Sequence, residues 1–359
     1  MAPPTLYVAI TNHGFGHATR AASVAHTVQQ LCPEVLLILA TTAPRWLLES
    51  YIAGDFIHRP RAYDVGVIQA DSLQMDQAAT LAKLQDIRDR QSQIIASESE
   101  FLRTNQVDLV LADIPPLAAP IAQAAGVPCW MMSNFGWDFI YRDWGQPFAE
   151  MVAWIEQCFG QCDRLLRLPL HEPMTAFDNI TDMGLTGGSP KVAPEALQRQ
   201  FNLTAAAEQT VLLTFGGLGL DAIPYKTLGS FPDWQFITFD RQAPDLPNLL
   251  KITDRHYRPV DFMPLCGRVV SKPGFSTFSE ALRLGRPLVS LIREGFAEAP
   301  LLLDGLRQYG HHQIIAPEPF FAGDWGFLQE TPAPPQGNQP IDRQGTEAIA
   351  AAIVEQLIR

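Results

Sequence analysis

Basic residues are scarce in this chain of 359 residues. Lysine and arginine number 26 against 38 aspartates and glutamates, a formal net charge of −12. Affinity for nucleic acid comes largely from cations that neutralise phosphates, so a general nucleic-acid grip is excluded, although a small basic pocket is not. Long apolar runs are missing: none nears the ~18 residues that span a bilayer, and no basic-then-apolar leader opens the sequence. The expectation is a soluble, cytoplasmic protein, with peripheral membrane contact left open and the oligomeric state unread. The five cysteines (Cys32, Cys129, Cys158, Cys162, Cys266) include no CxxC pair, which favours reduced thiols over a zinc site. No GxxxxGK[ST] loop and no tandem repeat occurs. The absence of a DxD acid pair predicts no obligatory metal, and no cofactor is expected.

Short apolar runs alternate with helical patterns along most of the chain. In the first half the strand candidates are 6–11, 34–40, 107–112, 128–133 and 163–168. Amphipathic stretches at 17–31, 45–53, 76–104, 118–125 and 147–159 lie between them. The rhythm restarts at 211–215 and continues through 234–239, 268–271, 287–291 and 312–315. Strands buried on both faces and separated by helices predict parallel sheets covered on each side. The fold class is therefore α/β, with two Rossmann-like domains whose sheets face each other across a cleft. The expected boundaries are 1–168, a proline-bearing linker at 169–204, 205–344, and a last helix at 345–359 that crosses back to the first domain.

The first strand candidate runs into "NHGFGHATR" (12–20). Gly14 and Gly16 allow a tight turn and close ligand approach, and a helix opening near His17 points its free amides into that turn. A dinucleotide fingerprint would need glycine where Thr19 stands and an acid where Thr41 and Thr42 stand, so a Rossmann dehydrogenase is disfavoured. His13 and His17 read equally as surface or capping residues. His17, however, follows the carboxyl end of a strand, where a helix dipole keeps an imidazole neutral and fit to act as a base. Asp113 ends another strand at the same sheet edge. It is either a capping residue or the partner that orients His17 in a catalytic dyad.

The second half holds "VVSKPGFSTFSEALRLGRPLV" (269–289). Thr277 to Glu280 reads as a capping box, which accounts for those two residues. It leaves Ser271, Lys272 and Gly274 unexplained ahead of the same helix. A cation, small residues and free amides together suit a diphosphate. A carboxylate such as Glu280 on the first turn can accept both hydroxyls of a ribose. "TFGGLGLD" (214–221) places Gly216 and Gly217 on another wall of such a pocket. "NFGWDFIYRDWGQPF" (134–148) crowds Phe135, Trp137, Phe139, Tyr141 and Trp144 into one loop region, as packing or as an acceptor wall. His311-His312 reads as a strand entry, since adjacent strand residues face opposite ways.

Taken in order, the glycine turn, Asp113, "TFGG", "RPVDFMPLC", "SKPGFSTFSEALRLGRP" and "REGFAEAPLL" resemble the GT-B glycosyltransferases. The likeness is to the lipid-linked N-acetylglucosaminyltransferase of peptidoglycan synthesis and to the glycosyltransferase-like half of L-arabinokinases. "NFGWDFIY" and the Glu298-Ala-Pro stretch point to the latter, although no Gly-Ser-rich sugar-kinase loop occurs. The resemblance implies transfer of a hexosyl group from a nucleotide-diphosphate sugar, by default a UDP sugar, to a small-molecule, saccharide or lipid acceptor, with inversion. It gives His17 the role of base and Asp113 that of its partner. It assigns the donor to Gly16, Gly216, Gly217, Ser271, Lys272, Gly274, Ser276, Thr277 and Glu280. Arg258 and the backbone to Phe262 meet the base of the nucleotide, and Glu298 the sugar. His13, Trp137 and Asp138 face the acceptor. Lys272-Pro273 stands where relatives often carry arginine and a small residue. A nucleotide-sugar epimerase and a non-catalytic sugar-nucleotide sensor remain the alternatives.

Overall fold

The computed structural model describes residues 3–69, 75–216 and 223–359. Gly217, expected at the donor, lies outside the described residues. Of the described residues, 3–69, 75–187 and 344–359 form one unit, and 188–216 with 223–343 the other.

The first unit contains, in chain order, β1 (Thr5–Ile10), α1 (Gly16–Leu31), β2 (Leu36–Ala40), α2 (Arg45–Tyr51), β3 (Ile57–Arg59), α3 (Gln77–Asp89), α4 (Gln91–Thr104), β4 (Leu109–Asp113), α5 (Ala118–Ala125), β5 (Cys129–Ser133), α6 (Trp137–Arg142), α7 (Ala149–Phe159), β6 (Arg164–Arg167) and β7 (Ile180–Asp182). The second contains α8 (Pro194–Phe201), β8 (Thr210–Leu213), β9 (Gln235–Thr238), β10 (Leu249–Lys251), α9 (Pro259–Phe262), β11 (Arg268–Ser271), α10 (Phe275–Arg283), β12 (Leu288–Leu291), α11 (Glu298–Tyr309), β13 (His312–Ile315) and α12 (Pro317–Phe321). The closing helix α13 (Gly345–Leu357) belongs to the first unit and packs on α1.

Each unit is built on one all-parallel sheet, in the orders β3-β2-β1-β4-β5-β6-β7 and β10-β9-β8-β11-β12-β13. Every residue of β1, β4, β5, β8, β11 and β12 is buried. That is why these strands read as continuous apolar runs rather than alternating ones. In both units the chain winds outward from the first strand in one direction, then returns to start in the other. The switch points lie between β1 and β4, and between β8 and β11. Ligands of such sheets bind there, outside the carboxyl ends of the strands.

Several expectations need correction. The stretch 169–204, expected as a linker, supplies β7 to the first sheet and α8 to the second unit. The loop expected at 134–148 forms α6 and a short 3-10 turn. The helical stretch 76–104 breaks at Arg90 into α3 and α4. The capping box at Thr277 does not form: α10 starts at Phe275 with Gly274 as its N-cap, and no side chain caps it.

Candidate active site

At the switch point of the first unit, Ile10 pairs with Asp113, and the Thr11 amide donates to the Asp113 carbonyl at 2.8 Å. This register sets the Asp113 carboxyl beside the turn that leads into α1. Gly14, at φ +60°, makes that turn. One turn of helix then separates His17 from Arg20, so both side chains reach the same acid. His17 Nδ1 lies 2.8 Å from Asp113 Oδ1, and Arg20 donates to both carboxylate oxygens, at 2.5 and 2.6 Å. Arg20 also donates to Asn134 Oδ1 at 2.9 Å and Ser133 Oγ at 3.0 Å. Burial pushes the Asp113 carboxyl up, but the charges of Arg20 and His17 outweigh it and hold the group below the usual carboxylate range.

This geometry selects the imidazole tautomer. Arg20 Nη2 lies 3.0 Å from His17 Nδ1 as well, but its two hydrogens have oxygen acceptors in Asp113 Oδ1, at 2.5 Å, and Ser133 Oγ, at 3.0 Å. Asp113, as a carboxylate, only accepts, so the proton between it and His17 belongs to Nδ1. Nε2 keeps its lone pair.

Around the pair lies a buried aromatic cluster. The His17 ring sits 5.7 Å from that of Phe135 and 6.1 Å from that of Trp137. His13 packs edge-on against Trp137 at 5.3 Å, and its Nδ1 accepts from the Val67 amide at 3.2 Å. Trp137 is 1% exposed, with its indole N–H donating to Thr11 Oγ1 at 3.1 Å. It shapes the site from behind and offers no open face as an acceptor wall. Asp138 is buried as well, paired with Arg142 at 3.0 Å, and burial together with the neighbouring Glu172 pushes its carboxyl up to about 6.

In the second unit, the turns after β8 and β11 adjoin. Gly216 has φ +81°, and a Cβ there would lie 3.8 Å from Lys272 Cε. Lys272, Gly274, Ser276 and Thr277 keep partial solvent access ahead of and along the first turn of α10. Ser271 is buried and its hydroxyl donates to the Lys272 carbonyl at 2.9 Å. Four other expected donor residues are buried. Phe262 is buried among Phe201, Phe239 and Tyr257. Arg258 is buried in a two-point ion pair with Asp261. Glu280 accepts from the Gly188 amide at 3.0 Å, and burial raises its carboxyl to about 7. Glu298 opens α11 and is buried.

No family model matches the sequence. Over 325 residues the chain is 29% identical to L-arabinokinase of Arabidopsis thaliana, covering 88% of this chain but 31% of that protein. The chain thus spans about a third of the length of the curated relative it matches. Solved structures similar over nearly its whole length include the glycotransferase of kitacinnamycin, with TM-score 0.59, 16% identity, and 99% of this chain and 93% of that one covered. Arabidopsis thaliana UGT89C1, solved with UDP-L-rhamnose, matches at TM-score 0.60 and 14% identity, over 99% and 94% of the two chains. A structure described as a UDP-N-acetylglucosamine 2-epimerase, from Listeria monocytogenes, matches at TM-score 0.57 and 14% identity, over 98% and 96%. The fold is GT-B.

On this GT-B frame the structure brings His17 and Asp113 together, as well as Gly216 and Lys272. Arg20 and Asn134 escaped the sequence reading. Arg20 had a usable signal, its three-residue spacing from His17 on a helix. Among the described residues, no helix is long and apolar enough to cross a membrane.

Proposed function

We propose that the chain transfers a hexosyl group from a nucleoside-diphosphate sugar, by default a UDP sugar, to an acceptor hydroxyl, with inversion and without a metal. One observation carries the reading: the two sheets share a strand order, and each has chemistry at its switch point. One holds an oriented imidazole with a free Nε2, the other a lysine beside glycine turns at a helix start.

In this mechanism Nε2 of His17 takes the proton of the acceptor hydroxyl. The oxygen attacks the anomeric carbon, the bond to the diphosphate breaks, and its electron pair leaves with the diphosphate. Lys272 and the first amides of α10 stabilise that charge. The likeness to L-arabinokinase supports sugar chemistry, while the acceptor is open.

Nucleoside diphosphate release across an acceptor panel tests the reading. His17→Ala should slow acceptor-dependent release ~100-fold or more and leave UDP affinity nearly intact. Lys272→Ala should weaken UDP binding about tenfold. Parallel loss of both quantities in both variants would count against this division of labour. Epimerisation is the second reading, favoured by the Listeria structure. It predicts nucleotide formation from the donor with no acceptor present.

A further inference from the structure

One guanidinium ties α1 to the ends of two strands at the first switch point. Arg20 stands on α1, one turn after His17, and is buried. Its Nε donates to Asp113 Oδ2 at 2.6 Å and its Nη2 to Asp113 Oδ1 at 2.5 Å, so the planar fork meets both oxygens of the acid that ends β4. Nη1 donates to Asn134 Oδ1 at 2.9 Å, and Nη2 to Ser133 Oγ at 3.0 Å, where β5 ends. Those two residues are themselves held by backbone: the Leu168 amide donates to the Ser133 carbonyl at 2.9 Å, and the Glu172 amide to the Asn134 carbonyl at 3.1 Å.

This arrangement does what a charge alone would not. The terminal torsion of an aspartate is soft, and a point charge beside the carboxylate leaves it free to turn. A fork bonded to both oxygens does not. It fixes the plane in which Asp113 Oδ1 accepts from His17 Nδ1 at 2.8 Å, and with it the ring nitrogen that keeps its lone pair. Ser133 and Asn134 hold the far side of the guanidinium, so it cannot turn with the acid. Nη2 also passes 3.0 Å from His17 Nδ1, yet with Asp113 and Ser133 as its acceptors it lies beside the ring without claiming that nitrogen.

We propose that Arg20 is the positioning residue of the His17–Asp113 pair, and that it acts through the shape of its guanidinium as well as its charge. The inference rests on His17 being the base. Arg20 works through Asp113 and takes no proton itself. Its charge contributes in the same direction: burial pushes the Asp113 carboxyl up, and Arg20 leads the groups that bring it down.

Nitrogen-15 NMR of the labelled protein, with no substrate present, tests this. Where the His17 ring carries a single proton, the wild type should show one tautomer, protonated on Nδ1. Arg20→Lys keeps the charge and removes the fork, so its His17 should show both tautomers. The same variant should slow acceptor-dependent nucleotide release about 100-fold, the cost of a misplaced base. Its UDP affinity should stay within about twofold of wild type, because the loss falls on the chemical step. A variant that melts lower but keeps the single Nδ1 tautomer would show a merely structural role and overturn the proposal. A second readout needs no variant and stands even if Arg20→Lys fails to fold. The Nη hydrogens of Arg20 in the wild type should give separate, slowly exchanging resonances, since rotation of the guanidinium would break its bonds to Asp113, Ser133 and Asn134. One averaged resonance also overturns the proposal. Failure of every donor and acceptor to react would sink the transferase reading, whereas the tautomer and the guanidinium resonances decide the role of Arg20.

Discussion

Asp138 occupies the first turn of α6, where a negative charge meets the favourable end of the helix, yet burial and Glu172 raise its carboxyl to about 6. A raised acid holds its proton more tightly folded than unfolded, so it favours the folded state below the ordinary carboxylate range. That contribution is lost as pH climbs from about 4 through about 6, where the folded group must ionise inside the protein. Asp138→Asn keeps the shape and removes this titration. Its melting temperature should fall less than that of wild type between about pH 5 and pH 8, with a relative gain of about 1 kcal/mol at the upper end once the Arg142 pair is discounted. Thermal melts across that range check the sign. At this scale the sequence was half informative. The type and place of His17 and Asp113 were readable from strand ends, because a parallel sheet puts its carboxyl ends along one edge. Burial was not readable, and burial turns Trp137, Phe262 and Arg258 inward and leaves Lys272 toward solvent.

Helices and strands divide along a similar line. The long apolar runs gave the central strands to within two residues, since their signal comes from burial on both faces. The three-residue edge strands β3, β7 and β10 have too little length for any period to register. The stretch at 134–148 looked like a loop because glycine, tryptophan and proline crowd it; tertiary packing of Trp137, Tyr141 and Phe148 on one another makes it α6 and a turn instead. The last helix is held to the first unit by its own buried face, Thr346, Ile349, Ala350 and Ile353, and by the Gly187 amide donating to the Thr346 hydroxyl at 3.0 Å. Since α13 packs on α1, which carries His17 and Arg20, its docking bears on the site. Ile353→Ala should cost about 2–4 kcal/mol of stability, read as a lower denaturant midpoint with an unchanged slope. Val354 lies one residue on and is less buried, so Val354→Ala is the matched control and should cost far less.

At the scale of the whole molecule, one plan occurs twice: a parallel sheet, a strand order that reverses beside its first strand, and polar groups gathered at the reversal. The plan was legible in the sequence as two rounds of the same rhythm, and a last helix returning to the first domain was expected; α13 packs on α1. What the sequence did not reveal is that the stretch read as a linker adds β7 to the first sheet, because a three-residue strand carries no period. Two separate sheets also make a prediction that a single site would not. If the nucleotide is held by the second unit, it stabilises against opening only those segments it orders. Hydrogen exchange with saturating UDP should then slow in the turns that follow β8 and β11 and in the first turn of α10. The amides of α1 next to His17 should stay at their ligand-free rates until an acceptor is added as well. Protection spread evenly over both sheets, or confined to α1, would place the nucleotide elsewhere and remove the reason for assigning Lys272 to the diphosphate.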